Sequence, residues 1–450
     1  MKKLQQLLCL LLCLVFCLAL LPAAALAEDA DEDAGAIALV EDPAGEGTIA
    51  PATEPETLPA PGDEPNAGDM AINETNFPDA NFRAFVRQYD TDSSGSLSAS
   101  ELAAVTRMDC YSKSIADLTG IEHFTALTKL SCYDNRLTSL DVSQNTALTY
   151  LSCRDNRLTS LDVSNNTALT GLFCYDNQLT SLDLSGNTAL TRLSCRNNQL
   201  ASLDVSKNTA LTVLYCYNNR LTSLDVSNNT ALEVLYCEEN QLTSLDLSSN
   251  AALTELDCNS NQLTELDVSN NTELTYLDCD GNQLTFLDLS AVPALKDAVE
   301  NGTRDTSASS WDKYSSSQGT LYVDKTVMLV TKGNPFTDVK EGKYYYVPVL
   351  WAYYHDPQIT TGTTATTFGP DDTCTRSQVV TFLWRANGKP EPMSSECPFT
   401  DIETNSFYYK AVLWAVENGI TTGTTATTFG PDDTCTRGQI VTFLYRYVEG

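Results

Sequence analysis

Between about residues 105 and 295 the chain sets apolar against polar positions on a rhythm longer than any helix turn or strand alternation. In LTKLSCYDNRLTSLDVSQNTA, which starts at Leu127, apolar side chains stand at Leu127, Leu130, Cys132, Leu137, Leu140 and Val142. The arrangement returns every 21 residues, so that Cys132 is followed by Cys153, Cys174, Cys195, Cys216, Cys237, Cys258 and Cys279, with Cys110 one residue out of step at the start. Each copy holds two half-patterns of one spacing: Leu127, Leu130, Cys132 and Asn135, then Leu137, Leu140, Val142 and Asn145. On an extended segment the alternating apolar residues point to one side. Both halves are therefore expected to be extended, each closed by its Asn, and a copy this short buries its apolar side only by stacking on its neighbours. The predicted element is a flat, tightly wound coil with short strands on both faces and little helix. Each buried Leu contributes roughly 1.5 to 3 kcal/mol.

The half-pattern from Leu127 to Asn135 resembles the leucine-rich repeat, over roughly residues 105–295. The resemblance implies a multidomain chain built around a leucine-rich-repeat solenoid, mostly β, with short parallel strands and with the Asn side chain satisfying backbone groups at the turn. The cysteines lack the close pairing that zinc requires, and parallel side chains on stacked copies are poorly placed for a disulfide torsion. They are expected to be free thiols filling a narrow interior. A second column, Asp141, Asp162, Asp183, Asp204, Asp225, Asp246, Asp267 and Asp288, points outward. Stacked at about 4.8 Å, neighbours repel by roughly 1 kcal/mol even in water. Hydrogen bonds from Ser or Thr hydroxyls and backbone amides would offset this, and bound cations are the alternative.

The LTSLDVS half barely changes between copies, whereas outward positions of the Cys half vary. One column runs Lys129, Tyr150, Gly171, Arg192, Val213, Val234, Glu255 and Tyr276; another runs Tyr133, Arg154, Tyr175, Arg196, Tyr217, Glu238, Asn259 and Asp280; Phe173, Tyr215 and Tyr236 add aromatic surface. Tyr and Arg anchor interfaces, which makes Tyr133, Tyr150, Arg154, Phe173, Tyr175, Arg192, Arg196, Tyr215, Tyr217 and Tyr236 the candidate ligand-binding face for a protein or glycan. Drift on a solvated face is the competing explanation.

Toward the N-terminus, Lys2 and Lys3 precede an apolar run ending at Leu21 and small residues at Ala25 and Ala27. Residues 1–27 read as a cleaved export signal, with no membrane span afterwards. Residues 28–70, rich in Pro, Ala and acid, read as a disordered spacer. Residues 71–104 form an EF-hand-like cap: Asp90, Asp92, Ser94, Ser96, Ser98 and Glu101 fall at positions 1, 3, 5, 7, 9 and 12 of a calcium loop, with Gly95 at the sharp turn and Leu97 packed inward. FRAFVRQY and ELAAVTRM are the expected flanking helices. A dockerin would carry two such loops, and a lone one should bind Ca2+ weakly, at about 0.1 to 1 mM.

After Val292 the period fails, and residues 296–333 read as a C-terminal cap or linker in which LYVDKTVMLVT is a strand pair or edge that caps the coil. ITTGTTATTFGPDDTCTR then occurs twice, from Ile359 and from Ile420. Each copy resembles an S-layer homology domain: Phe336, Asp338, Val339, Tyr344, Ile359, Gly362, Phe368, Pro370, Thr375 and Arg376 in residues 334–393, and Phe399, Asp401, Ile402, Phe407, Gly419, Ile420, Gly423, Phe429, Pro431, Thr436 and Arg437 in residues 394–450. The resemblance implies an α-helical tail that binds secondary cell-wall polysaccharide on a Gram-positive-type envelope. It points to Asp338, Gly362, Arg376, Asp401, Gly423 and Arg437, with the arginines gripping a pyruvyl carboxylate. Gln378 and Gln439 replace the family Glu, Ser377 and Gly438 the Ala just before it, and two copies stand where three are usual.

Charge and composition narrow the partners. A net charge of -32, from 59 acidic and 27 basic side chains, repels phosphate backbones and disfavours nucleic acid. His123 and His355 are the only histidines, neither beside a credible nucleophile. The expected molecule is therefore a non-enzymatic, exported, adhesin-like binding protein, with a structural envelope component as the alternative.

Overall fold

A computed structural model of the chain describes residues 69–340, 343, 345–355, 358–418, 423–436 and 440. The expected export signal, and the spacer apart from Asp69 and Met70, lie outside the described residues. Everything described belongs to one compact unit, Pro61–Gly450.

Each Cys half forms a three-residue strand. They run β3 (Arg107–Asp109), β4 (Lys129–Ser131), β5 (Tyr150–Ser152), β6 (Gly171–Phe173), β7 (Arg192–Ser194), β8 (Val213–Tyr215), β9 (Val234–Tyr236), β10 (Glu255–Asp257) and β11 (Tyr276–Asp278). Neighbours pair parallel in strict register, Leu130 on Leu151 and Leu151 on Leu172. Beyond each strand the ladder continues at the thiol, Cys132 N donating to Ser152 O at 2.8 Å. Leu127, Leu130, Cys132, Leu137, Val142 and Leu148 are fully buried, and the same places are filled rung after rung into one continuous core. Leucine-rich repeats wound as a β-solenoid are thus the central architecture.

The other side departs from the sequence expectation of strands on both faces. Among the described residues the extended pairings there are an isolated bridge between Asp141 and Asp162 and, at the last rung, Phe286–Asp288 on Met328–Val330. The cause is local competition for amides: Ser143 N donates to Asp141 Oδ1 at 2.9 Å, and Asn145 N and Leu148 N donate to Val142 O and Asn145 O. These bonds coil the segment into tight turns. What remains between rungs is a bond such as Arg157 N to Leu137 O at 2.8 Å.

Two Asn columns fasten the turns. Asn156 Nδ2 donates to the carbonyls of Cys132, Cys153 and Arg154, while its Oδ1 accepts from Leu137 N. The residue before each such Asn, among them Asp134, Asp155, Asp176, Asn197, Asn218, Glu239 and Ser260, has φ near +50°, a left-handed conformation that Asp, Asn and Gly tolerate best. In the inner column Asn166 Nδ2 donates to Val142 O and Asn145 O.

At the start, β1 (Met70–Ala71) pairs antiparallel with β2 (Ser96–Leu97), and two short helices follow the expected flanks: α1 (Ala80–Val86) and α2 (Ala99–Ala104). The second flank is shorter than expected, because Arg107 and Met108 leave the helix to become the first rung, Met108 facing Leu130. At the far end α3 (Pro293–Asn301) interrupts the coil. Then β13 (Thr303–Asp305), β14 (Trp311–Ser315) and β15 (Thr320–Asp324) close it, with β15 adding a parallel rung to β11 and β14 returning antiparallel. β12 (Phe286–Asp288) pairs with β16 (Met328–Val330).

The tail contains α4 (Tyr346–Tyr354), α5 (Arg376–Ala386) and α6 (Tyr409–Glu417). β17 (Thr373–Thr375) and β18 (Thr434–Thr436) cross antiparallel, Cys374 opposite Cys435, so the duplicated segments meet each other. One core gathers around Phe336, Trp351 and Phe368, the other around Phe399, Trp414 and Phe429.

Candidate functional site

The strand positions that vary lie on one side of the sheet, and the structure brings most of the expected face together. Arg154 lies 4.0 Å from the Tyr133 ring and 5.4 Å from Tyr175; Arg196 lies 4.0 Å from Tyr175 and 5.2 Å from Tyr217. Tyr111 extends the column by stacking on Tyr133 at 4.5 Å and 4°. The result is a ladder of alternating rings and guanidinium groups, each pair a cation–π contact. Arg154 Nη1 also meets Asp155 at 2.6 Å. Tyr150 packs on Phe173 at 5.3 Å and Tyr215 on Tyr236 at 5.0 Å, a run continued by Tyr276, Tyr322 and Trp311. Arg192 stands beside Tyr215 and works against the rise of its hydroxyl pKa, which burial drives.

Toward the last rungs the same columns turn acidic. Burial first, then the neighbouring Asp257 charge, pushes the Glu238 carboxyl up. Asp278 rises for the same two reasons, and Asp257 rises mainly through burial. Burial and the charge of Asp324 lift Asp280 to about 6. Asp257 and Asp278 were missed by sequence reasoning, although they stand in the column of Phe173, Tyr215 and Tyr236 and could have been found by following it to its end.

The outward Asp column behaves differently. From Asp141 to Asp246 each carboxylate accepts the amide of the Ser two residues on, and hydrogen bonding by that Ser holds the carboxyl below its ordinary value. The thiols from Cys110 to Cys279 are buried and none of them is in a disulfide. Burial pushes Cys110 and Cys174 up to about 12.

In the N-terminal loop, oxygens of Asp90, Asp92 and Glu101 lie within 4.8 Å of one another. Hard carboxylate donors converging on a loop fit calcium chemistry. Ser94 N donates to both Asp90 Oδ1 and Asp92 Oδ1, Gly95 N to Asp90 Oδ2, and Ser94 Oγ to Ser96 O. Glu101 takes amides from Thr91 and Ser98. Burial pulls its carboxyl up, but these hydrogen bonds outweigh it and hold the group down to about 2.

In the tail, Asp338 accepts Phe368 N and Gly369 N at 2.8 and 2.7 Å, and Asp401 accepts Phe429 N and Gly430 N at 2.8 and 2.9 Å. Both carboxylates hold the Phe-Gly-Pro turn of their own copy. Gly362 and Gly423 have φ of 77° and 84°, and a Cβ on either would strike Phe336 or Phe399 at 2.5 Å. These four residues shape the tail. Arg376 reaches across to the second copy, Nε donating to Phe429 O at 3.0 Å with its guanidinium 5.0 Å from the Phe429 ring. Gln378 fills the role of a Glu in a capping box with Thr375. Arg437, like Tyr344, Gly419 and Ile420, lies outside the described residues.

Comparison with known proteins agrees with this division. The S-layer homology domain model matches residues 335–380 and 398–441, and a leucine-rich-repeat model of two copies matches residues 209–250. Internalin J of Listeria monocytogenes serotype 4b (strain F2365) is 47% identical over 70 residues, 15% of this chain and 8% of its own length. An endoglucanase of Bacillus sp. (strain KSM-635) is 37% identical over 115 residues, 26% of this chain and 12% of its own, in the S-layer homology region. The chain thus spans only a small part of the curated relatives it matches. Among solved structures, the functional domain of InlJ from Listeria monocytogenes, described as including a cysteine ladder, aligns with TM-score 0.46 and 44% identity over 50% of this chain and 53% of that one. The Leptospira interrogans protein LIC12759 aligns with TM-score 0.39 and 26% identity, over 42% and 52%. The chain carries leucine-rich repeats and two S-layer homology domains. Among the described residues no helix is long and apolar enough to cross a membrane.

Proposed function

We propose that this chain is a bacterial surface protein that holds itself to the wall by its tail and presents the strand face of its solenoid to a protein or glycan ligand. The tail's partner is secondary cell-wall polysaccharide of a Gram-positive-type envelope, with Arg376 and Arg437 as the carboxylate-binding groups. The observation that carries the reading is the contrast between the two long sides of the coil. One repeats the same Asp–Ser turn, while the other builds the ring and guanidinium ladder from Tyr133 to Tyr217. A surface kept rigid by its own stacking binds at low entropic cost. The test is a panel of extracellular matrix proteins, mucin and bacterial glycans against the purified chain, with Tyr175→Ala and Arg196→Ala combined. Loss of a ligand in the variant supports the face; binding that ignores the change removes it. Sedimentation with isolated wall polysaccharide tests the tail, and Arg376→Ala should weaken it.

A structural envelope component without a specific ligand is the second reading. It draws support from the ion pair and ring contacts that already engage Arg154, and a blank panel with intact wall binding would favour it.

The N-terminal loop is proposed to take Ca2+ through Asp90, Asp92, Ser94, the Ser96 carbonyl and Glu101. Calcium there supplies a hard positive charge that ties α1 to α2. Adding Ca2+ should raise the unfolding temperature, and Glu101→Ala should abolish the rise; an undiminished rise in the variant would move the site elsewhere.

A further inference from the structure

The acidic end of the strand face has a composition that the rest of the molecule avoids. Buried Asp312 is paired with Arg304 and Lys325, the outward Asp column is answered by Ser amides, and Arg154 sits between a ring and a carboxylate. Asp257 and Asp278 also take amides, from Asn259 and Asp280, but they are only 8% and 9% exposed, and among the described residues no ion pair reaches them, Glu238 or Asp280. Glu238 Oε2 is buried without a hydrogen-bond partner. Burying carboxylates beside one another without a cation is costly. Alongside them run the rings of Tyr236, Tyr276, Tyr322 and Trp311, with Lys313 above Tyr322 at 5.0 Å.

The first rungs display what this combination accommodates, because there a ring and a carboxylate enclose a guanidinium supplied by the chain itself. At the last rungs the rings and carboxylates recur and the intervening arginines do not. A metal ion is the weaker fit: these carboxylates do not form a trio of converging oxygens like that of Asp90, Asp92 and Glu101. Instead they are spread over successive rungs at about 4.8 Å each, a spacing suited to side-chain cations on an extended strand of another chain.

We infer that the rungs carrying Glu238, Asp257, Asp278 and Asp280 form a receptor for a cationic polypeptide segment, whose Arg or Lys side chains enter between these carboxylates and the rings of Tyr236, Tyr276 and Tyr322. This rests on the reading of the strand face as a binding surface and names the partner class for one end of it.

The experiment titrates the full chain with a short peptide of alternating Gly and Arg, and with a Gly and Gln peptide of equal length, by calorimetry at physiological salt. Saturable one-to-one binding of the Arg peptide is expected, with no binding of the Gln peptide. Asp257→Asn combined with Asp278→Asn should weaken it by about tenfold or more. Asp183→Asn combined with Asp204→Asn, which removes two carboxyls from the outward column, should leave it unchanged. Equal loss in both double variants would mean diffuse attraction to a net-negative protein and would overturn the proposal, as would absence of Arg-peptide binding. If the first variant unfolds, Glu238→Gln alone carries the comparison. Wall-polysaccharide sedimentation and the Tyr175 and Arg196 panel, run on the same variants, separate failure here from failure of the broader reading.

Discussion

At the residue scale the two Asn columns show how closely identity follows geometry. Asn208 Nδ2 bridges Leu184 O and Asn187 O at 3.1 and 2.9 Å inside the core. Asn208→Ala removes the second donor from two buried carbonyls, which keep only Asn187 N and Leu190 N, and should cost about 1 to 3 kcal/mol, read as a lowered unfolding temperature. Glu239 has φ of 52° where most other rungs place Asp, Asn or Gly. Glu239→Asn should stabilise by up to about 1 kcal/mol, and an unchanged melt would remove backbone strain as the reason for the preference. Leu, Cys and Asn were legible in the sequence because the period repeats them until their direction is fixed. Asp257 and Asp278 were not, because their meaning depends on which neighbours share a column, and their burial depends on the large rings beside them.

The element scale explains the one misread feature of the coil. Leu137 to Asn145 carries the same spacing as Leu127 to Asn135, so periodicity predicts strands in both, yet Asp141 captures the Ser143 amide before the next rung can. Spacing records which side chains point inward and is silent on where amides go. The acidic end makes its own prediction. Its carboxyls hold protons more tightly folded than unfolded, so the stabilisation they give is full below the unfolded value of about 4 and is lost as pH rises, through about 6 at Asp280 and higher at Glu238, Asp257 and Asp278. The outward carboxyls from Asp141 to Asp246 and Glu101, held low, act in reverse and lose their contribution as pH falls, for Glu101 through about 2. Melting temperature should therefore peak in mildly acidic solution, and Asp257→Asn with Asp278→Asn should flatten the decline toward alkaline pH.

For the whole molecule, the register of β3 to β11 means that one rung resembles the next closely enough to be removed. Excising one full period from the middle, Cys174 to Ser194, should leave a folded coil with a lower melting temperature, since nearest-neighbour stacking is retained. Excising one residue fewer leaves a single rung of the length that already separates Cys110 from Cys132, so the coil should still fold, with any further loss of melting temperature confined to that rung. The meeting of Cys374 with Cys435 in the tail was not legible, since sequence identity between two copies does not say whether they touch.

Because the strands lie across the stack and bond only to the rungs above and below, tension along the stack loads those bonds a few at a time. Drawn from its two ends, the coil should unreel like thread from a bobbin, each rung yielding on the order of 70 Å of contour. Optical-trap extension would register this as a regular staircase at modest force, whereas a single abrupt rupture would mean that the rungs share the load.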